Sequence, residues 1–351
     1  MNTNEKKKIL AIDVGYSAIK LCYVDSYGAL RFERIPNVIA KLSSAPTEMD
    51  EVNMFRFLDE YYILGPMALK APRETHIETS DWNSLKLSYP LWISYLVKRY
   101  GGEDGFNAFD KIIIGLSLAF GPEKGDELLE YLYEQLLFPP GDENRNLFMI
   151  LPQATSAKAA YQDFGLNIRE TDIGNMTENK LKNYIILDIG QYSIDIASVI
   201  GSKSSVSNSV GLENSGTIVI SYRIIDYIYQ TYGVKISLKE ANSVLETGGI
   251  WIRRRVKNDL SQVVSQYIKE YIRDVLNLLE TKMSSTLDTA EAVLILGGGA
   301  SLFQKYINDP QVTAEIEKHF PKEFILLPNG DPDMYNVYSY YLLGNKIINN
   351  K

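Results

Sequence analysis

The stretch "AIDVGYSAIK", residues 11–20, decides how this chain is read. An apolar run, "KILAI", leads straight into Asp13, and an apolar strand does not ordinarily leave a carboxylate at its tip. Gly15 permits a tight turn where a Cβ would not fit, and Ser17 and Lys20 follow it. Far down the chain, residues 187–196 read "LDIGQYSIDI". Asp188 answers to Asp13, Gly190 to Gly15, Ile194 to Ile19, and Asp195 to Lys20. The second stretch also follows an apolar run, "YIIL". One pattern is stated twice.

The pattern suits an anion. Glycine lets backbone N–H groups approach a phosphate closely and form a small concave site. Ser17 and Ser193 add hydroxyl donors, and Lys20 supplies a cation as a point charge. Asp13 and Asp188, at strand ends, suit the water shell of Mg²⁺, which prefers hard oxygen ligands and keeps its waters. The alternative is a pair of ordinary hairpins with Asp at the turn. Two loops in one register, each after an apolar strand, weigh against that alternative.

Around each stretch the strands come in threes. Residues 9–13, 18–24 and 30–35 read strand, strand, strand, with "DSYG" at 25–28 as a turn. Residues 184–188, 194–200 and 206–210 repeat the order, with "GSKSS" as the turn. Two hairpins extending one strand point to a mixed sheet. Between the triplets, 89–100 and 125–137 read as helices, "KIIIGLSLAF" as a buried strand, and 146–164 as a strand, a turn at Pro152 and a helix from near Ala154. Later, "TIVISYRIIDYIYQTYG", "KEANSVLETG", "LSQVVSQYIKEYIRDVLNLLETKM" and the closing "MYNVYSYYLLGNKIIN" read as helices. Relative to the triplets, 36–88 is an irregular insertion and 233–283 a helical, charged one.

Composition sets the bounds. The 351 residues exceed one ordinary core and imply two domains or more. With 45% hydrophobic and 23% charged residues the chain reads as soluble and globular. No apolar run is long enough to span a bilayer, and Asp13 interrupts the first one too early for a signal peptide. One cysteine, Cys22, excludes internal disulfides and fits a reducing, cytoplasmic setting. Two histidines make a His-based metal site or triad an unfavoured reading. A net charge of −8 argues against direct nucleic-acid binding. The runs "KKK" at 6–8 and "RRR" at 253–255 read as solvated surface or protein contacts.

Two further motifs carry chemistry. In "ILPQATSAKAAY" (150–161), Gln153 stands just before a helix of small residues. A side-chain amide there can orient a water for attack on phosphorus without any pKa tuning; an ordinary first-turn glutamine is the alternative. In "LILGGGASLF" (294–303), three glycines after a buried strand let backbone lie flat against a ligand with a helix start behind; a plain strand–helix turn is the alternative. No G-x-x-x-x-G-K-[ST] phosphate loop occurs.

In order, the chain runs D-x-G hairpin, P-Q-A turn, second D-x-G hairpin, K-E helix, G-G-G-A turn and closing helix. This order resembles the actin, Hsp70 and sugar-kinase ATPase superfamily along essentially the whole chain. "DIGQYSIDIASV", "GGGASLF" and "YYLLGN" are similar to the plasmid-segregation actins of the ParM/StbA group. The resemblance implies an α/β fold of two similar ribonuclease-H-like domains around a nucleotide cleft. Domain I would be 1–155 plus 336–351, with an inserted subdomain at about 36–88; domain II would be 156–335, with one at about 216–283. It implies ATP or ADP with Mg²⁺, Asp13 and Asp188 reaching the ion through water. It assigns the phosphates to Gly15, Tyr16, Ser17 and Lys20 in the first loop, and to Gly190, Gln191, Tyr192, Ser193 and Asp195 in the second. Tyr16 and Tyr192 are bulky for their positions, so contact there would rest on backbone. Lys239 and Glu240 fall on the helix that carries adenosine contacts, a solvated charge pair being the alternative. Gly297, Gly298, Gly299 and Ala300 form the remaining nucleotide loop. Gln153, with Asp13 and Asp188, would carry hydrolysis; it stands where ParM proteins often have Glu and eukaryotic actin has Gln.

The function implied is a nucleotide-dependent filament that segregates plasmid DNA. It would bind itself and a small DNA-binding adaptor of ParR type, reach centromere DNA only through that adaptor, and use no membrane. Two alternatives stay open. A small-molecule kinase of the superfamily needs a carboxylate base facing an acceptor hydroxyl, and none stands out. A non-polymerising FtsA- or PilM-like adaptor would want an amphipathic tail, which "GNKIINNK" does not supply.

Overall fold

The computed structural model describes residues 8–43, 54–79, 81–166 and 181–349. The chain divides into two compact units. The first takes the described residues of Met1–Leu116, Phe120–Ala160 and Asn336–Lys351; the second takes those of Ser117–Ala119 and Tyr161–Tyr335.

The first unit is built on β1 (Ile9–Val14), whose six residues are all buried. A strand covered on both faces is apolar throughout rather than alternating. It pairs antiparallel with β2 (Ala18–Val24), which pairs in turn with β3 (Leu30–Pro36). Cys22 lies fully buried in β2, and burial pushes its thiol well up. Four short strands follow: β4 (Ile39–Leu42), β5 (Met54–Phe57), β6 (Glu60–Leu64) and β7 (His76–Ile77). They form a separate sheet in the order β5-β6-β4-β7. The segment expected to be irregular is therefore largely a small sheet; its residues 44–53 and 80 lie outside the described residues. Leu58 and Asp59, both at positive φ, make its tightest turn.

Helix α1 (Trp82–Gly101) starts seven residues before the expected 89, because Asp81 and Ser84 close a reciprocal capping box. Then come β8 (Lys111–Leu116), α2 (Gly121–Gln135) and β9 (Phe148–Pro152). β8 runs parallel to β1 and β9 parallel to β8, which gives the sheet β3-β2-β1-β8-β9. The expected strand "KIIIGLSLAF" ends at Leu116. Helix α3 (Lys158–Phe164) begins four residues later than expected, because Ala154 takes a left-handed φ of 50° and the chain turns before it coils.

The second unit repeats the plan. β10 (Tyr184–Ile189), β11 (Ile194–Ile200) and β12 (Lys203–Leu212) form the antiparallel triplet. The third strand begins at Lys203, so only 201–202 of the expected turn is a turn. Next come α4 (Ile218–Tyr232), which stops at left-handed Gly233, and α5 (Leu238–Glu246). A two-stranded hairpin, β13 (Ile250–Arg253) and β14 (Val256–Asp259), interrupts a segment expected to be all helical. Helix α6 (Ser261–Leu287) buries Val264, Ile268, Ile272, Val275 and Leu279 on one stripe at helical spacing. Then follow β15 (Val293–Leu296), α7 (Ala300–Tyr306), α8 (Pro310–His319) and β16 (Ile325–Leu326). The sheet order β12-β11-β10-β15-β16 has the same form as the first: three antiparallel strands, then two parallel ones. Helix α9 (Tyr335–Asn349) returns to the first unit, where the hydroxyl end of the Tyr340 ring lies against Gly115.

Each unit has its own apolar core. Leu10, Ile12, Trp92, Leu96, Ile112 and Ile114 centre the first; Ile185, Leu187, Ile196, Ile272, Leu276 and Ile295 centre the second. At roughly 1.5–3 kcal/mol for each fully buried aliphatic side chain, these clusters dominate the favourable side of folding. No helix of the described residues is long and apolar enough to cross a membrane.

Candidate functional site

In the first unit, Asp13 is the fifth residue of β1 and only 1% exposed. Its cross-strand partner is Lys20, so the residue seven places on in sequence stands directly opposite it. Lys20 Nζ lies 2.8 Å from Asp13 Oδ2. Gln153 Nε2 donates to Asp13 Oδ1, also at 2.8 Å, and Gln153 N donates to Leu116 O at 2.8 Å. Two residues from distant stretches thus meet on the one carboxylate of Asp13. A carboxylate has about four lone-pair directions, so two remain for a ligand or its water. Burial, with Asp13 nearby, pushes the Tyr89 hydroxyl well up, so that phenol stays neutral beside the acid.

The turn that follows is clamped from behind. Gly15 N donates to Ala18 O at 3.1 Å. Asn37, between β3 and β4, donates through Nδ2 to Gly15 O at 2.8 Å and through its backbone N to Ser17 O at 2.9 Å. Trp92 of α1 holds Asn37 in turn, its Nε1 donating to Asn37 Oδ1 at 2.7 Å. A peptide plane is trans, so a tied carbonyl directs the next N–H to the opposite side. Tying Gly15 O and Ser17 O therefore presents the N–H groups of Tyr16 and Ala18 away from the clamp, the arrangement an anion wants. Asn37 and Trp92 were not singled out by sequence reasoning. Nothing in either residue type marks them, and the contact spans 55 residues.

The second unit ties its loop by other means. Thr217 N donates to Gly190 O, Ile218 N to Gln191 O, and Ser215 N and Gly216 N to Tyr192 O, at 2.8–3.2 Å. The segment entering α4 plays the part of Asn37. The N–H groups of Gln191, Tyr192 and Ser193 are turned outward by the same argument. The "GGGA" turn packs on this loop's base: Gly299 N donates to Ile189 O at 2.8 Å, and Gly297 N to Pro332 O at 3.1 Å. Gly297 has φ +79°, and a Cβ there would stand 2.3 Å from Asp188 Oδ1. Only glycine allows the turn to press against that carboxylate. Gly298 and Gly299 continue the turn, and Ala300 opens α7.

The two hairpins differ at one decisive place. Where the first unit sets Lys20 across from Asp13, the second sets Asp195 across from Asp188. Two facing carboxylates are not both comfortably ionised. Burial, helped by the Asp188 charge, pushes Asp195 up to about 8, against the pull of Ser117, Leu118 and Ala119. Ser117 Oγ donates to Asp195 Oδ1 at 2.8 Å, and the Leu118 and Ala119 N–H groups also donate to that side chain. Gly211 is the β12 partner of Asp195, and a Cβ on it would lie 1.9 Å from Ala119 N. Asp195 thus holds segment 117–119, which leaves β8 and enters a 3-10 turn at Leu118, down on β11 and β12. It does not repeat the role of Lys20.

Lys239 and Glu240 stand in the first turn of α5. Glu240 closes a capping box: Ser237 N donates to Glu240 Oε2 at 3.0 Å, and Glu240 N to Ser237 Oγ at 3.3 Å. The resemblance assigns both residues to adenosine; in this structure Glu240 serves as a helix cap. Among the described residues no group of three or more His, Cys, Asp or Glu stands ready to hold an ion. A hydrated Mg²⁺ held by one or two carboxylates and substrate phosphates needs no such group.

Comparison with known proteins agrees with the topology. The family described as archaeal actin homologue MreB-like, C-terminal, matches residues 186–309. No curated protein sequence matches the chain. Among solved structures, the chain is similar to the ParM of a 15-stranded filament from Clostridium botulinum, with a TM-score of 0.71, 16% identity, and 97% of this chain and 99% of that one covered. Ta0583, an archaeal actin homologue, gives a TM-score of 0.70 at 14% identity, covering 97% and 99%. Bacillus thuringiensis ParM with ATP gives 0.58 at 16%, covering 99% and 100%.

Proposed function

Because the chain carries the actin-like fold over its whole length, we propose that it binds and hydrolyses ATP or GTP and assembles into filaments with copies of itself. The observation that carries this reading is the repeated carboxylate-tipped hairpin, set at the same place in two sheets of the same strand order. The outward N–H groups of the two loops receive phosphate oxygens, and Lys20 adds a cation beside Asp13. The "GGGA" turn offers flat backbone to the rest of the nucleotide. In this reading domain I is 1–155 plus 336–351 and domain II is 156–335, bounds that differ from those of the two compact units at 117–119 and 156–160, and Lys239 and Glu240 lie on the adenosine side. The nucleotide-bound structures of the ParM and Ta0583 relatives support nucleotide as the ligand.

Asp13 and Asp188 each offer hard carboxylate oxygens at a strand end, a chemistry that suits a hydrated divalent cation. Mg²⁺, when bound there through water, would neutralise phosphate charge. Gln153 orients the attacking water. In this structure its amide is parked on Asp13, so that it takes up its role by exchanging that hydrogen bond for one to water. Loss of the γ-phosphate removes the contacts that favour polymer, which makes the filament a nucleotide switch.

The cargo is plasmid DNA, carried through a small DNA-binding adaptor of ParR type in the cytoplasm. A chain of net charge −8 is poorly suited to grip DNA itself. The test is light scattering with negative-stain electron microscopy, using Mg²⁺ and ATP, ADP, GTP or no nucleotide, with Asp188→Ala as the control. Filaments that need nucleotide and vanish in the variant are the expected result. Nucleotide binding with no filaments at any concentration would refute the filament and leave a kinase or an FtsA- or PilM-like adaptor.

A further inference from the structure

We propose that the tip of the β13–β14 hairpin docks on the acidic face of α2 in a second copy of this chain. The proposal rests on the filament reading and names one of its contacts. Six consecutive residues, Ile252 to Lys257 ("IRRRVK"), are all exposed. Four are cations; Lys257 acts on Asp259 of the same strand, while Arg253, Arg254 and Arg255 make no ion pair among the described residues. In a chain of net charge −8 this is a concentrated exception. Ile252 and Val256 are among the more exposed large aliphatic side chains of the molecule. The base of the hairpin is firm: Trp251 is buried, and its ring meets Tyr232 of α4 edge-on at 5.2 Å.

The turn itself is unusual. Arg253 pairs with Val256, which leaves Arg254 and Arg255 as a two-residue connection, at φ 47° and 69°. Such a turn favours Asn-Gly, since both positions are left-handed. Two arginines here are strained, and strain of this kind collects where a surface is used. Folding alone is better served by the commoner residues.

The complementary surface lies in the other unit. Along α2, Glu123, Asp126, Glu127, Glu130 and Glu134 recur at spacings that share one helix face, and all are exposed. Glu127 pairs with Lys86 and Glu130 with Arg145; Glu123, Asp126 and Glu134 make no ion pair among the described residues. Leu137, exposed just past the helix end, offers an apolar contact for Ile252 or Val256. Basic, apolar hairpin thus meets acidic, apolar helix. The two patches belong to different units of one chain, so each copy has one of each. Such a contact is heterologous: repeated from copy to copy, it generates an open, polar chain rather than a closed dimer.

The test uses the full chain with Mg²⁺-ATP and sedimentation of polymer. Arg254→Asn/Arg255→Gly gives the turn its preferred residues while removing two charges. We expect a thermal midpoint equal to or above the wild type, together with a critical concentration raised by roughly tenfold or more. A loss of assembly with no loss of stability is an outcome that a purely structural role cannot give. Arg254→Glu/Arg255→Glu and Glu123→Lys/Asp126→Lys should each block assembly, and the chain carrying all four changes should recover it. Assembly of the Asn-Gly variant at the wild-type concentration would overturn the contact. So would failure of the four-fold variant to recover while the wild type floats with phosphatidylserine vesicles through the same arginines; the occupant would then be a membrane. Wild-type chain that binds nucleotide yet never sediments would instead defeat the filament reading itself.

Discussion

Asp195 gives the sharpest test of the second hairpin. Its carboxyl is held near 8 in the folded chain, against an ordinary value near 4 when unfolded. The folded pKa is raised, so between those values the native state keeps a proton that the unfolded state has lost. Stability from this group is full below about pH 4 and drains away as pH rises, until it is spent above about pH 8. Each pH unit is worth about 1.4 kcal/mol, so the wild type should lose on the order of 4 kcal/mol between pH 5 and pH 8. That figure is an upper bound, because part of the shift comes from the charge of Asp188 facing the group. Asp195→Asn removes the titration and keeps a carbonyl oxygen for the Ser117 hydroxyl. Urea unfolding of both chains across this range, with chelator and without nucleotide, isolates the effect. Any fixed packing cost of the substitution cancels when differences at two pH values are subtracted. The variant should gain on the wild type by roughly 2–4 kcal/mol from pH 5 to pH 9. Curves that stay parallel to within about 0.5 kcal/mol would refute the assignment of the proton to this carboxyl.

Two further outcomes follow from the loop anchors. Asn37→Ala frees Gly15 O and strands the buried Trp92 indole N–H, at a cost of about 2–4 kcal/mol in chemical denaturation; nucleotide affinity should fall with it, and unchanged affinity would remove Asn37 from the loop's support. Gly297→Ala puts a methyl against Asp188 at a left-handed φ, so calorimetry should find a loss of about 2–5 kcal/mol, and a loss below about 1 kcal/mol would show that the turn can shift aside.

Much of the fold was legible because it was written twice. An apolar strand, an acidic tip and a glycine turn recur at 9–20 and 184–195, and the structure places both at the middle of five-stranded sheets. The long helices showed through their apolar spacing. The small sheet after β3 did not, since its strands run only two to five residues and pair across gaps. The start of α3 was missed because alanine gives no sign that it will adopt a left-handed conformation. At the candidate site, the meeting of Asp13, Lys20 and Gln153 follows from residues already picked out. The contrasting use of Asp195 does not: its partners at 117–119 lie 76 or more residues away and two of them act through backbone. Sequence spacing finds groups that share a turn or a helix face. It is blind to a main-chain donor brought in from elsewhere.

The burial of Cys22 has a practical side. It is the one thiol of the chain, it sits at no measurable exposure in β2, and burial keeps it protonated. Maleimide reagents attack thiolates that solvent can reach, so the native chain is chemically silent toward them. Tyr27, 91% exposed on the turn between β2 and β3, lies in a loop already shaped by Asp25 through Tyr27 N and Ala29 N. A cysteine placed there would take a single fluorophore without any prior removal of the natural one, and individual copies could then be watched joining and leaving under a microscope.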